Sequence, residues 1–310
     1  MANERIVFLG TPELAAECLK GLVKANFNIV GVVTKEDKIR GRNNTVEESP
    51  VAKVAHEFNL PLHKPHRLNT DFQFLVDLKP DLLLTFAYGQ LISDEILALG
   101  TYKPLNLHGS LLPKYRGAAP MQYALYNGDK QTGVSLMEMV HEMDAGDVYA
   151  SKSFDLDIKD NYTTLCTKIS QCGLELAIEA LPKFFNHELT PIPQDKTKVT
   201  FTHMITKDQE HLDLSKTPLE FVNQVRSLSL TPGGYLLWND QMLKIYEAEV
   251  FSDKQEAEIG TVVLAHKKQI ILQVKEGQVK LNLLQRPGKK MMSASDFNNG
   301  VHDFTGVILH

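Results

Sequence analysis

Compact apolar runs and amphipathic stretches take turns through the first two thirds of this chain. "RIVFLG" (5–10), "NIVGVVT" (28–34), "DLLLTFAYG" (81–89), "PLNLHGS" (104–110) and "GVSLMEM" (133–139) read as strands. Between them, "TPELAAECLKGLVKAN", "SPVAKVAHEFN" and a segment near 93–99 have helical spacing. Strands that are apolar along their whole length belong to sheets covered on both faces, and strands joined through helices are parallel. The expectation is an α/β fold with a doubly wound, Rossmann-like domain.

The pattern changes at "PIPQDKTKVTFTH" (191–203), where two prolines and many polar residues leave no periodicity. Past it, a helix is predicted over 217–228, followed by "GYLLW", "MLKIYEAEVF", "GTVVLAH", "QIILQV" and "QVKLNLLQ". Short strands with glycine-bearing turns predict a small OB-like β-barrel. The expected division is therefore an α/β domain over 1–190, a linker over 191–206 and a barrel domain over 207–310.

Composition narrows the class. No run approaches the ~18 apolar residues that span a bilayer, and "MANERIVFLG" does not fit a secretory signal. Cys18, Cys166 and Cys172 are an odd, scattered set without metal-ligand spacing, so a reducing cytoplasm is expected. The net charge of −5 gives no whole-molecule sign of a polyanion partner. Locally the picture differs: between His266 and Lys290 seven lysines and arginines face one acid, Glu276. Such a run is either a solvated face or a phosphate-tracking one.

"FLGTPELAA" could be mistaken for a dinucleotide loop, but the second and third glycines of that fingerprint are missing. Thr11 is expected to cap the following helix, with Pro12 in its first position. More chemistry lies in "NLHGSLLPKYRGAAP". On a strand, Asn106, His108 and Ser110 share one face, and open parallel sheets bind ligands beyond the carboxyl ends of their strands. An asparagine amide donates hydrogen bonds without titrating, and histidine moves protons near neutrality. A lone buried histidine is most simply a bonded core residue; the asparagine and the loop behind it favour a site instead. "MDAGDV" adds Asp144 on a turn-prone segment, either to accept a proton or to cap the turn. His141, Glu142, Asp144 and Asp147 match no metal pattern, so no metal is expected. "GxSxG" is absent and no cysteine lies nearby. An amide, an imidazole and a carboxylate without a covalent nucleophile suit direct acyl transfer to an amine or to water.

"FLGTPELAA", "FAYGQLIS", "NLHGSLLPKYRGAAP", "TGVSLMEM", "MDAGDV" and "LLQRPGKKMMSASDF" occur in order over nearly the whole chain. Together they resemble the methionyl-tRNA formyltransferase family. The resemblance implies formyl transfer from 10-formyltetrahydrofolate, as donor co-substrate, to the α-amino group of methionine on initiator tRNA. It implies catalytic roles for Asn106, His108 and Asp144. Ser110, Leu111, Leu112 and Pro113 would form a folate-binding loop, and the backbone around Phe86, Tyr88 and Gly89 part of the pterin pocket. Arg42 would sit on a tRNA-contacting loop, with Lys289 and Lys290 on the tRNA face of the barrel. No membrane partner is implied, and a monomer is expected. Two other readings stay open at this point: a folate-using enzyme acting on a sugar-nucleotide amine or on water, and a nucleic-acid-binding protein with a degenerate α/β domain.

Overall fold

The computed structural model describes residues 3–40 and 45–310. The chain divides into two compact units, each assembled from three segments. The first takes Met1–Pro120, Gln131–Asp155 and Cys166–Thr202; the second takes Met121–Lys130, Leu156–Leu165 and His203–His310.

Strands of the first unit are β1 (Ile6–Gly10), β2 (Ile29–Val33), β3 (Lys38–Arg40), β4 (Thr45–Glu47), β5 (Leu62–His63), β6 (Leu82–Phe86), β7 (Leu105–His108), β8 (Arg116–Gly117), β9 (Gln131–Glu138), β10 (Val148–Asp155) and β11 (Phe201–Thr202). Seven of them form one sheet in the order β10-β9-β7-β6-β1-β2-β5. From β7 to β5 the pairing is parallel, while β9 and β10 run antiparallel at one edge. The parallel part matches the whole-length apolar strands of the sequence: Ile6 to Leu9 are fully buried, as are Leu82 and Leu84. Chain order reverses between β1 and β6, so the carboxyl ends of β1, β6 and β7 meet at a topological switch point.

One local expectation is corrected. Thr11 does not cap the helix Glu13–Lys24, whose N-cap is Pro12. Its hydroxyl instead donates to the Tyr88 carbonyl at 3.0 Å, tying the β1 turn to the β6 turn. A small hairpin, β3–β4, stands apart from the large sheet. Lys64 holds both ends of its stem, with Nζ 2.7 Å from Asp37 Oδ1 and 2.8 Å from Glu48 Oε1.

The second unit has β12 (Gly234–Trp238), β13 (Gln241–Ser252), β14 (Val262–His266), β15 (Gln269–Val274), β16 (Gly277–Gln285) and β17 (Met292–Ser293). The antiparallel order is β12-β13-β16-β15-β14, with β17 on β16. Residues 306–310 join the two outer strands: Val262 N–H donates to Val307 O at 2.8 Å, and His310 N–H to Leu237 O at 3.0 Å. That seam gives the sheet its barrel-like closure. The helix Pro218–Leu228 starts on a Thr217/Glu220 capping box and buries Phe221, Val225 and Leu228 among Leu236, Ile245 and Leu281. Arg226 on this helix is buried; its guanidinium donates to the carbonyls of Asp157 at 3.0 Å and Asp160 at 3.4 Å, and to Asn223 Oδ1 at 2.9 Å. The segment Leu156–Leu165 thus helps hold this unit together.

Candidate active site

The site is built on the end of β7. Register places Asn106 beside Thr85 of β6 and His108 beside Ser135 of β9. Asn106 and His108 share a face, as alternation predicts. Ser110 does not: the strand ends at His108, and the Ser110 N–H folds back onto the His108 carbonyl at 2.9 Å. The loop then fastens on itself, since Ser110 Oγ donates to Lys114 O at 2.6 Å. Fully buried Ser135 donates to Ser110 O at 2.8 Å and accepts from the Leu112 N–H at 3.1 Å. Leu111, Leu112 and Pro113 lie half-buried along this loop.

Each polar group is oriented by a neighbour. Thr85 Oγ1 donates to Asn106 Oδ1 at 2.7 Å, which fixes the carbonyl end of the amide. The Nδ2 end has no partner among the described residues, so its donors can serve a ligand. His108 is only 6% exposed. Its Nε2 lies 2.8 Å from the Tyr115 carbonyl. A carbonyl only accepts, so Nε2 carries the hydrogen and Nδ1 is the atom turned toward the reaction space. Asp144 Oδ2 is 3.6 Å from that Nδ1, within ion-pair reach and beyond a short hydrogen bond. The same oxygen accepts the Gly117 N–H at 2.7 Å. Gly117 has φ +101°, and a Cβ there would run into the Thr202 carbonyl. Only glycine fits where that backbone meets the carboxylate.

Other expected residues fall elsewhere. The Phe86 ring packs on Gly173 of the helix Tyr162–Phe185, and Tyr88 belongs to a core cluster with Val7, Leu9 and Val33. Burial pushes the Tyr88 hydroxyl up to about 12. Their side chains fill the core, and with Gly89 (φ +78°) they offer a ligand backbone only. A cavity of about 470 Å³ lies nearby, lined by Leu97, Tyr102, Pro104, Met139 and Val140. Met139 connects it to the site, with its sulfur 3.3 Å from Thr85 Oγ1. His141 pairs with Asp94 at 3.5 Å and Glu142 with Arg116 at 3.4 Å, so the acids of this turn diverge. In the second unit Lys289 and Lys290 are exposed, without a carboxylate partner among the described residues. Lys275 and Lys280 of the same run pair with Glu276 and Glu249. Arg42 lies outside the described residues.

Comparison with known proteins shows the family. A formyl transferase family model matches residues 4–181, and a model of the formyl transferase C-terminal domain matches 204–302. The methionyl-tRNA formyltransferase of Lactobacillus acidophilus is 42% identical over 95% of each chain. That of Malacoplasma penetrans is 38% identical over 96% of this chain and 94% of its own. The chain belongs to the methionyl-tRNA formyltransferase family. Among solved structures, the Helicobacter canadensis N-formyltransferase superposes with TM-score 0.68 at 17% identity, covering 89% of this chain and 98% of that one. Aquifex aeolicus HypX, in complex with tetrahydrofolic acid, gives 0.67 at 18% identity; this chain is covered to 98% and spans about half of HypX (48%). At such identities these two show the fold alone.

Thr85, whose hydroxyl holds the Asn106 amide, escaped the sequence reading. It left one faint signal, a hydroxyl near the end of an otherwise apolar strand. No helix among the described residues is long and apolar enough to cross a membrane.

Proposed function

We propose that Asn106, His108 and Asp144 carry out the formyl transfer of this family, from 10-formyltetrahydrofolate to the α-amino group of methionyl initiator tRNA. The observation that carries the assignment is the convergence, at the end of β7, of the unengaged Asn106 donors, His108 Nδ1 and the Asp144 carboxylate. Asn106 Nδ2 donates to the formyl oxygen as negative charge builds on it, the task of an oxyanion hole. His108 moves the proton through Nδ1, since Nε2 is committed to Tyr115. As the amine–carbon bond forms and the carbon–N10 bond breaks, the amine gives up one proton and N10 gains one. Asp144 stabilises the imidazolium in between.

The cavity of about 470 Å³ reached through Met139 suits a flat polar heterocycle in size, with apolar walls from Leu97, Pro104 and Met139 and polar groups from Thr101, Lys103 and Glu138. We assign the pterin to it, reached along the Ser110–Pro113 loop and the backbone at Phe86, Tyr88 and Gly89. Residues 1–190 would perform the chemistry and 207–310 would grip the tRNA, with Lys289, Lys290 and Arg42 on its phosphates. The protein would act as a monomer in the cytoplasm, where its three free thiols stay reduced. The C-terminal match and the relatives' high coverage favour this reading over a sugar-nucleotide acceptor.

The test mixes the protein with 10-formyltetrahydrofolate, with and without methionyl initiator tRNA, and follows tetrahydrofolate and formylmethionine together. Both should appear in equal amounts, and only with the charged tRNA. Equal folate release without tRNA would make the protein a hydrolase or the servant of another amine.

A further inference from the structure

Asp144 is held from two sides. Its carboxylate takes the Gly117 N–H, as described above. Its backbone is held by Gln194, 50 residues further on. Both hydrogens of one side-chain amide are used: Gln194 Nε2 donates to the carbonyls of Asp144 at 2.8 Å and Gly146 at 2.7 Å. These carbonyls bracket a turn in which Asp144 has φ +50°, the left-handed region that a residue with a Cβ enters only under constraint. Gly146 is fixed as well, because a Cβ there would run into the Glu138 carbonyl.

The other end of Gln194 closes a circuit. Its Oε1 accepts from Arg116 Nε at 3.0 Å, and Arg116 is only 5% exposed. Arg116 is bonded in sequence to Gly117, whose N–H holds the Asp144 carboxylate. The loop of contacts therefore runs from the Asp144 carboxylate through Gly117, Arg116 and Gln194 back to the Asp144 carbonyl. Gln194 itself is set by its neighbours: Ile192 and Val148 exchange two backbone hydrogen bonds at 2.9 Å, and Thr200 to Thr202 run beside residues 113–118.

We infer that Gln194 is a positioning residue for formyl transfer: through the turn backbone and Arg116 it sets the distance between the Asp144 carboxylate and His108 Nδ1. This rests on the proposed catalytic role of Asp144. The side chain has to be an amide, since a carboxylate could keep the Arg116 bond but would turn lone pairs on two carbonyls.

The variants are Gln194→Glu, which keeps the acceptor for Arg116, and Gln194→Met, which keeps the shape. Each is made alone and with Asp144→Asn, and turnover, KM for both substrates and thermal unfolding are measured. Either single change should lower kcat about ten- to a hundredfold, the range expected for a small misplacement of a reacting group. Both KM values should stay within about threefold, and unfolding should be little moved. On the Asp144→Asn background neither change should slow the enzyme further, as expected for residues acting through one carboxylate. The inference is overturned if the losses multiply in full on that background, or if KM rises while kcat holds. Should both Gln194 variants fail to fold, Arg116→Lys supplies the same cycle: a milder kcat loss that vanishes with Asp144→Asn supports the circuit, and an undiminished loss overturns it. Wild-type turnover in Asp144→Asn alone would remove the catalytic assignment beneath it.

Discussion

Removing one methyl-sized hydroxyl tests how finely Asn106 is set. Thr85→Val keeps the shape of a side chain that is only 3% exposed and deletes the donor 2.7 Å from Asn106 Oδ1. The net value of such a bond is about 0.5–1.5 kcal/mol, so the held orientation of the amide should lose about two- to twelvefold in population. Turnover should fall by that factor. Deleting the donor amide itself, in Asn106→Ala, should cost about 100-fold or more. Rapid-quench measurement of formylmethionyl-tRNA at saturating substrates reads both. Thr85→Ser, which restores the hydroxyl, should recover most of the loss. A Thr85→Val enzyme as slow as Asn106→Ala would mean that Thr85 takes part directly. A fully active one would mean that the amide is oriented by something else.

Other outcomes follow from the same geometry. Charge reversal at Lys289 and Lys290 should weaken tRNA binding and flatten its salt dependence, by about one unit of slope for each phosphate no longer neutralised. Folate binding should stay unchanged in parallel titrations. The Lys64 bonds hold Glu48 below its ordinary value, with His56 adding to the effect. A depressed carboxylate stabilises above its unfolded value, near 4.5, and that support is lost as pH falls through the folded one. Burial alone would lower Lys64, but its bonds to Asp37 and Glu48 outweigh this and raise it above 10.5, so its support persists below that pH. Amide resonances of β3 and β4 should therefore shift together below about pH 4.5, and Lys64→Met should abolish that transition.

What the sequence discloses depends on how far apart the cooperating residues are. β1, β2, β6 and β7 were legible because burial on both faces leaves an unbroken apolar run. Asn106 and His108 were legible because two residues of one strand share a face whatever surrounds them. Thr85 and Asn106 meet across 21 positions, and Arg116 and Gln194 across 78. No local pattern encodes such a meeting. The stretch 191–203 reads as a linker because its pairings are a single bridge to Val148 and a two-residue ladder with β8, too short to impose a period. The family motifs marked the loop at 110–113 but not the cavity, whose walls come from two separate segments, Asp94 to Pro104 and Glu138 to Val140.

The contacts of Arg226 bear on how far the barrel can be treated as a transferable module. A graft cut at residue 203 would carry the guanidinium and leave behind the Asp157 and Asp160 carbonyls it donates to. A hydrogen bond to a charged group is worth about 1.5–3 kcal/mol, so losing these is a large share of a small domain's stability. Exchange of this barrel between related enzymes would therefore have to take residues 156–165 with it, so the natural unit of recombination is discontinuous in sequence.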